Sequence, residues 1–174
     1  MGRKILFTVI IALLSINGMA QTAGELKVEV LTSSTGGRYT PRNSMAIWVE
    51  DESGKFVKTL VAHAEKRKIF LTNWKNSTSK AGAEFNTVDA ISSATRNTHD
   101  KVSCTWNGKD FNQKLVADGK YKICIELTEI NGTGVYSSFI INKGRSAKTV
   151  KPANVPSFSD ISLVWTPSKA AKKK

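Results

Sequence analysis

Residues 45–62 read MAIWVEDESGKFVKTLVA, and this stretch decides the fold. Its two halves, 45–50 and 55–62, are dense in Ile, Trp, Val and Phe, types that suit a pleated, half-buried surface. Between them Asp51-Glu52-Ser53-Gly54 has turn composition, with a glycine that accepts positive φ without steric cost. Two strand-like runs flanking such a turn predict a β-hairpin.

Working outward, Leu26-Lys27-Val28-Glu29-Val30 alternates apolar and polar residues, the period of a strand with one face buried. Residues 33–43 are loop-like, rich in Ser, Thr and Gly. On the other side, residues 102–106 form a strand-like run ending at the turn signal Asn107-Gly108, and Asp118-Gly119 precedes the strand pattern of 121–128. Asn131-Gly132 leads into 135–142, residues 152–156 are extended, and 161–165 suggest a last edge strand. Seven or eight short strands at regular turn spacing, with almost no helical pattern, predict an all-β fold. Consecutive hairpins favour an antiparallel β-sandwich of about seven or eight strands.

Residues 63–100 interrupt this regularity and form one long insert. Residues 63–71 read as a short helix or a further strand, and 76–86 as a polar stretch. Connections of such length in a compact domain are functional or unstructured, so any function is expected here.

The chain opens with Arg3 and Lys4, a nearly apolar run over 5–16, and small residues at Gly18-Met19-Ala20. That order is an export signal, and the run is shorter than the ~20 residues a membrane span needs. Residues 1–20 are therefore expected to be removed. A single domain over 21–166 follows, with a basic tail over 167–174, and the location is periplasmic or secreted. No later apolar segment has spanning length, so no transmembrane segment is expected after cleavage.

The whole chain carries a net charge of +12, and Lys169, Lys172, Lys173 and Lys174 cluster at its end. No basic helix or Arg/aromatic pattern accompanies the remaining charge, so no nucleic-acid partner is expected. Two cysteines in an exported chain invite a disulfide. Side-chain parity argues against it: Val102, Cys104 and Trp106 share a face, whereas Cys124 points away from Tyr121, Ile123 and Ile125. With two histidines and no CxxC, no metal site is expected. Trp48, Trp74, Trp106 and Tyr121 are read as core aromatics, and His63 and His99 as surface residues. A Ser92–His99–Asp89 triad can be drawn, but no nucleophile elbow or oxyanion hole accompanies it. No catalytic residues and no independent catalytic activity are expected.

The order Lys55-Phe56-Val57-Lys58-Thr59-Leu60, Trp106-Asn107-Gly108-Lys109-Asp110 and Asp118-Gly119-Lys120-Tyr121 resembles the Ig-like module of flagellar hook-capping proteins. The resemblance implies an Ig-like sandwich with Trp and Tyr between the sheets, and says nothing of flagella. The fuller pattern over about residues 26–142 is similar to a bacterial family of predicted periplasmic proteins of unknown function. In that family the insert includes D-A-x-[ST]-G-A-T-R, and this chain has Asp89-Ala90-Ile91-Ser92-Ser93-Ala94-Thr95-Arg96.

The same eight residues resemble the acceptor sequence for covalent flavinylation. The resemblance implies FMN attached through its phosphate to the Thr95 hydroxyl, with Asp89, Ser92, Ser93 and Ala94 completing the recognition stretch. It also implies an exported FMN transferase and a membrane redox partner. Ser93 stands where glycine is usual; were that position left-handed, serine would cost about 1 kcal/mol. Trp74, Arg96 and His99 are near enough in sequence to stack on the flavin or pair with its phosphate. Two functions follow as expectations: a flavinylated extracytoplasmic electron-transfer carrier, or a non-catalytic Ig-like binding or structural module of the cell envelope.

Overall fold

The computed structural model describes residues 20–169. The expected export signal, apart from Ala20, and residues 170–174 of the basic tail lie outside the described residues. The strands are β1 (Gly24–Thr32), β2 (Ser44–Asp51), β3 (Phe56–His63), β4 (Ile91–Ser93), β5 (Lys101–Trp106), β6 (Gly119–Thr128), β7 (Val135–Lys143), β8 (Lys148–Val150) and β9 (Phe158–Pro167). They form two sheets, in the orders β5-β1-β9-β8 and β4-β3-β2-β6-β7. Every pair is antiparallel except β3–β4. The fold is an all-β sandwich, with the three-residue strands β4 and β8 added to those expected. Residues 161–165, expected at an edge, lie inside β9, which is flanked by β1 and β8.

Alternation explains the packing between the sheets. Leu26, Val28 and Val30 of β1 point inward beside Val102, Cys104 and Trp106 of β5. They meet Met45, Ile47 and Val49 of β2 and Tyr121, Ile123, Ile125 and Leu127 of β6. Trp106 lies 4.9 Å from the Tyr121 ring and 6.3 Å from the Trp165 ring, and its Nε1 donates to the Lys109 carbonyl at 2.7 Å. Each such aromatic pair adds about 0.5–1.5 kcal/mol beyond area burial. The Asn107-Gly108 turn needs its glycine: φ is 72°, and a Cβ there would sit 3.0 Å from the Lys143 stem.

Strands β2 and β3 are buried on both faces, which is why 45–49 and 56–62 are dense in apolar residues without strict alternation. Their outer face carries Ala46, Trp48, Phe56 and Ala62, and the insert covers it with Ala64, Leu71 and Trp74. Residues 63–100 are therefore a third layer and not a loose loop. A 3-10 turn, Lys68–Phe70, leads into helix α1 (Thr72–Lys80), whereas the sequence offered a short helix or strand over 63–71 and a polar stretch over 76–86. Residues 72–80 (TNWKNSTSK) are mostly weak helix formers, so sequence pattern conceals the helix and a distant residue holds it. The buried Glu126 of β6 accepts from the backbone N–H groups of Asn73 (3.2 Å) and Trp74 (2.9 Å), and from Asn73 Nδ2 (3.0 Å). It caps the helix N-terminus, which has no local side-chain cap. Burial pushes the Glu126 carboxyl above its ordinary range, against those hydrogen bonds.

Both cysteines are free. Cys104 lies between the sheets and Cys124 on the opposite face of the larger sheet, as parity implied. Burial pushes both thiols up to about 12.

Candidate functional site

Segment 89–100 runs along the free edge of the larger sheet and then crosses the end of the sandwich. Ile91, Ser92 and Ser93 pair in parallel with Val61, Ala62 and His63. The Ser93 carbonyl accepts from the Ala64 N–H at 3.1 Å. Arg96 and Asn43 then exchange backbone hydrogen bonds of 2.9 Å in both directions, and the Asp100 carbonyl accepts from the Thr32 N–H at 3.2 Å. Thr95 thus lies between two backbone anchor points, half-buried, while Ser92, Ser93 and Ala94 are exposed.

Each residue of the acceptor-like stretch has a definite place. Asp89, at φ 54°, accepts from Lys58 Nζ at 3.3 Å and from Gln113 Nε2. Lys58 is buried in β3, with 5% of its side chain exposed, so Asp89 supplies the counter-charge a buried ammonium requires. Ser93 is a strand residue and is not among the residues with positive φ, so the expected left-handed cost does not arise. Its Oγ lies 2.7 Å from His63 Nδ1 and donates to the Ala94 carbonyl at 2.9 Å. Burial and the nearby charge of Arg96 lower the His63 pKa.

Beside Ser92 and Ser93 opens a cleft of about 450 Å³, lined also by Ala62, Ala64, Glu65, Lys68, Trp74, Phe85 and Thr87. Phe85, at φ 53°, is a bulky side chain in a conformation that costs on the order of 1–3 kcal/mol. Its ring packs tilted against Trp74, centroids 5.4 Å apart, and Lys68 Nζ sits 4.9 Å from its centroid. Trp74 is pinned in turn, its Nε1 donating to Thr59 Oγ1 at 2.9 Å. The wall is rigid and aromatic, and the rim carries one cation, one carboxylate and three hydroxyls.

The three other residues considered as flavin partners serve structural contacts. Trp74 is buried, lines the cleft beside Phe85 and is tied to Thr59. Arg96 pairs with Asp100 and reaches Thr32 Oγ1 and Met45 Sδ, each at 3.4 Å. His99 is not a surface residue: 12% of its side chain is exposed, and its Nε2 lies 2.6 Å from Glu129 Oε1. Glu129 also accepts from the Ser34, Thr35 and Thr40 hydroxyls and from the Thr35 and Gly37 N–H groups. Burial alone would raise its pKa, but the bonds from Thr40, Thr35, Gly37 and His99 hold it well below the usual carboxylate range. With His99 on Glu129 and Asp89 on Lys58, no Ser92–His99–Asp89 triad is assembled. No group of acidic, histidine and cysteine side chains suited to a metal occurs among the described residues.

Lys58, Gln113, Lys68 and Phe85 escape a sequence reading. One signal was available: a lysine inside a strand buried on both faces demands a partner. Phe85, an isolated aromatic in a polar stretch, carries no comparable signal.

A family model described as predicted periplasmic protein (DUF2271) matches residues 25–154, well over half of the chain. The chain belongs to that family. Its periplasmic location is the one expected from residues 1–20, and the family's function is unknown. No curated protein and no solved structure matches the chain. No helix among the described residues of this DUF2271 protein is long and apolar enough to cross a membrane.

Proposed function

We propose that this periplasmic protein is a carrier of covalently bound FMN, attached at Thr95, that passes electrons between extracytoplasmic partners and has no catalytic activity of its own. The observation that carries the reading is the setting of the Asp89–Thr95 stretch. Ser92, Ser93 and Ala94 lie exposed at a sheet edge, Thr95 is half-buried between two backbone anchor points, and the stretch adjoins a cleft with an aromatic wall. An acceptor segment has to be reachable by a transferase, and a flavin once attached needs a surface that limits its exposure to water. The residues fit such a group: Phe85 offers an apolar face, Lys68 a cation, and Thr87, Ser92 and Ser93 offer hydroxyls. The flavin, when bound, would supply the electron-transfer chemistry, and the protein would supply its attachment and surroundings. Removal of residues 1–20 would leave the attachment segment on the exported side, where the transferase acts.

The test is the intact mass of the full chain co-expressed with an exported FMN transferase. The wild type gains the FMN increment and Thr95→Ala does not. A wild-type chain of unmodified mass overturns the reading. It leaves the alternative, an envelope module that binds its partner without a cofactor.

A further inference from the structure

We propose that the cleft beside Ser92 and Ser93 is the seat of the isoalloxazine ring, with Phe85 as its apolar floor and Lys68 as the charge that sets its potential. This rests on the flavin reading and adds to it where the ring lies and what tunes it.

The cleft, about 450 Å³, falls within the range of small-molecule sites, about 300–1,000 Å³. It opens at Ser93, two residues before Thr95, so the two Cα atoms lie within about 8 Å of each other. The ribityl phosphate arm of a flavin held at Thr95 bridges that span. The floor is preorganised: Phe85 is fixed by its left-handed backbone and by Trp74, which is itself tied to Thr59. Preorganised aromatic surface binds a planar ring at low entropic cost. Lys68 is exposed and already rests over the Phe85 ring. Its flexible stem lets the ammonium move to the edge of a ring that occupies that face. Glu65, on the same rim, has the opposite charge.

The electrostatics follow from charge balance. The oxidised ring is neutral. Two-electron, one-proton reduction of a flavin held there would add one negative charge to it. A nearby ammonium stabilises the reduced ring relative to the oxidised one, and a carboxylate does the reverse. A rim cation partly screened by water is expected to shift that preference by about tenfold, or about 30 mV for a two-electron couple.

The experiment is a dithionite titration of the flavin-loaded full chain against a reference dye, for wild type, Lys68→Met, Glu65→Gln and Lys151→Met. Lys151 lies away from the cleft and serves as a control. The midpoint of Lys68→Met is expected to fall by about 30 mV, that of Glu65→Gln to rise by less, and that of Lys151→Met to stay at wild type. A second readout is quenching of flavin fluorescence by iodide, which is expected to increase in Phe85→Ala. If every variant carries FMN while the Lys68→Met midpoint and the Phe85→Ala quenching equal wild type, the seat is overturned and the carrier reading stands. A wild type without FMN overturns both.

Discussion

The two faces of the larger sheet are held in different ways. Between the sheets, more than twenty buried apolar side chains pack together, with the buried Lys143 at one end tied to Asp118, and alternation along the strands puts them there. Outside, beneath the insert, the apolar cluster is far smaller and shares its face with the buried Glu126, which holds the end of α1. Apolar packing has many near-equivalent solutions, whereas a buried charge has one partner and one geometry. The inner face therefore supplies stability, and the outer face fixes where one particular segment lies. The cleft and the acceptor-like stretch are on that outer side.

The largest break in the comparison comes from the inner face. Trp106→Ala removes a fully buried indole that contacts Tyr121 and Trp165, and such truncations cost about 3–5 kcal/mol. Urea denaturation is expected to show a much lower midpoint, with all strands lost together. Glu126→Ala is the outer-face counterpart. It leaves the α1 N–H groups of Asn73 and Trp74 without their acceptor, at about 1–3 kcal/mol. Here amide hydrogen exchange is the decisive measurement. Protection should fall across 72–80 and persist in β1, β6 and β9, and uniform loss everywhere would erase the distinction between the faces.

The same contrast explains what could be read from residues alone. The sandwich was legible because β1, β5 and β6 alternate and the turns at Gly54 and Gly108 have glycine where φ is positive. Cys104 and Cys124 were separable by parity for the same reason. Helix α1 was not legible, since its cap lies more than fifty residues downstream and its own residues favour coil. Nor was the place of Asp89, whose partners Lys58 and Gln113 lie on either side of it in sequence. Local pattern reports which residues are buried; it does not report which distant charge they meet.

Acid should weaken the fold through the two carboxylates at the ends of β6. Burial would raise Asp118, but hydrogen bonds from Lys143 at 2.8 Å and from Thr22 outweigh it and bring its pKa down to about 2. Glu129, just past the other end of the strand, is lowered as well. A carboxylate whose pKa is lower folded than unfolded stabilises the fold fully above its unfolded value, near 4. That contribution disappears as pH falls through the folded value. The contribution of these two carboxylates to the urea midpoint is thus expected to hold from pH 7 to about 5 and to drop away between about 4 and 2. Above that window His63, lowered in the fold, takes stability away as pH falls, and Glu126, raised in the fold, adds some back. Asp118→Asn should flatten part of the drop, and an unchanged acid profile in that variant would remove Asp118 from the account.

The smallest expected effect is the most informative about the acceptor-like stretch. Were a left-handed backbone required at position 93, Ser93→Gly would relieve strain, stabilise the chain by about 1 kcal/mol and speed modification. Ser93 instead lies in β4 with an ordinary strand backbone, its hydroxyl beside His63. Glycine there gains nothing from its freedom and loses the His63 contact, so the variant should be less stable by about 0.5–1 kcal/mol. Under the flavin reading the transferase meets an extended Ser92–Ala94 edge in both proteins, and the rate of FMN attachment should agree within about twofold, since a barrier change below about 0.4 kcal/mol gives no more. Side-by-side intact-mass time courses measure that rate. A Ser93→Gly chain both more stable and modified many times faster would mean that the segment leaves the sheet edge, and takes up a left-handed turn, when the transferase engages it.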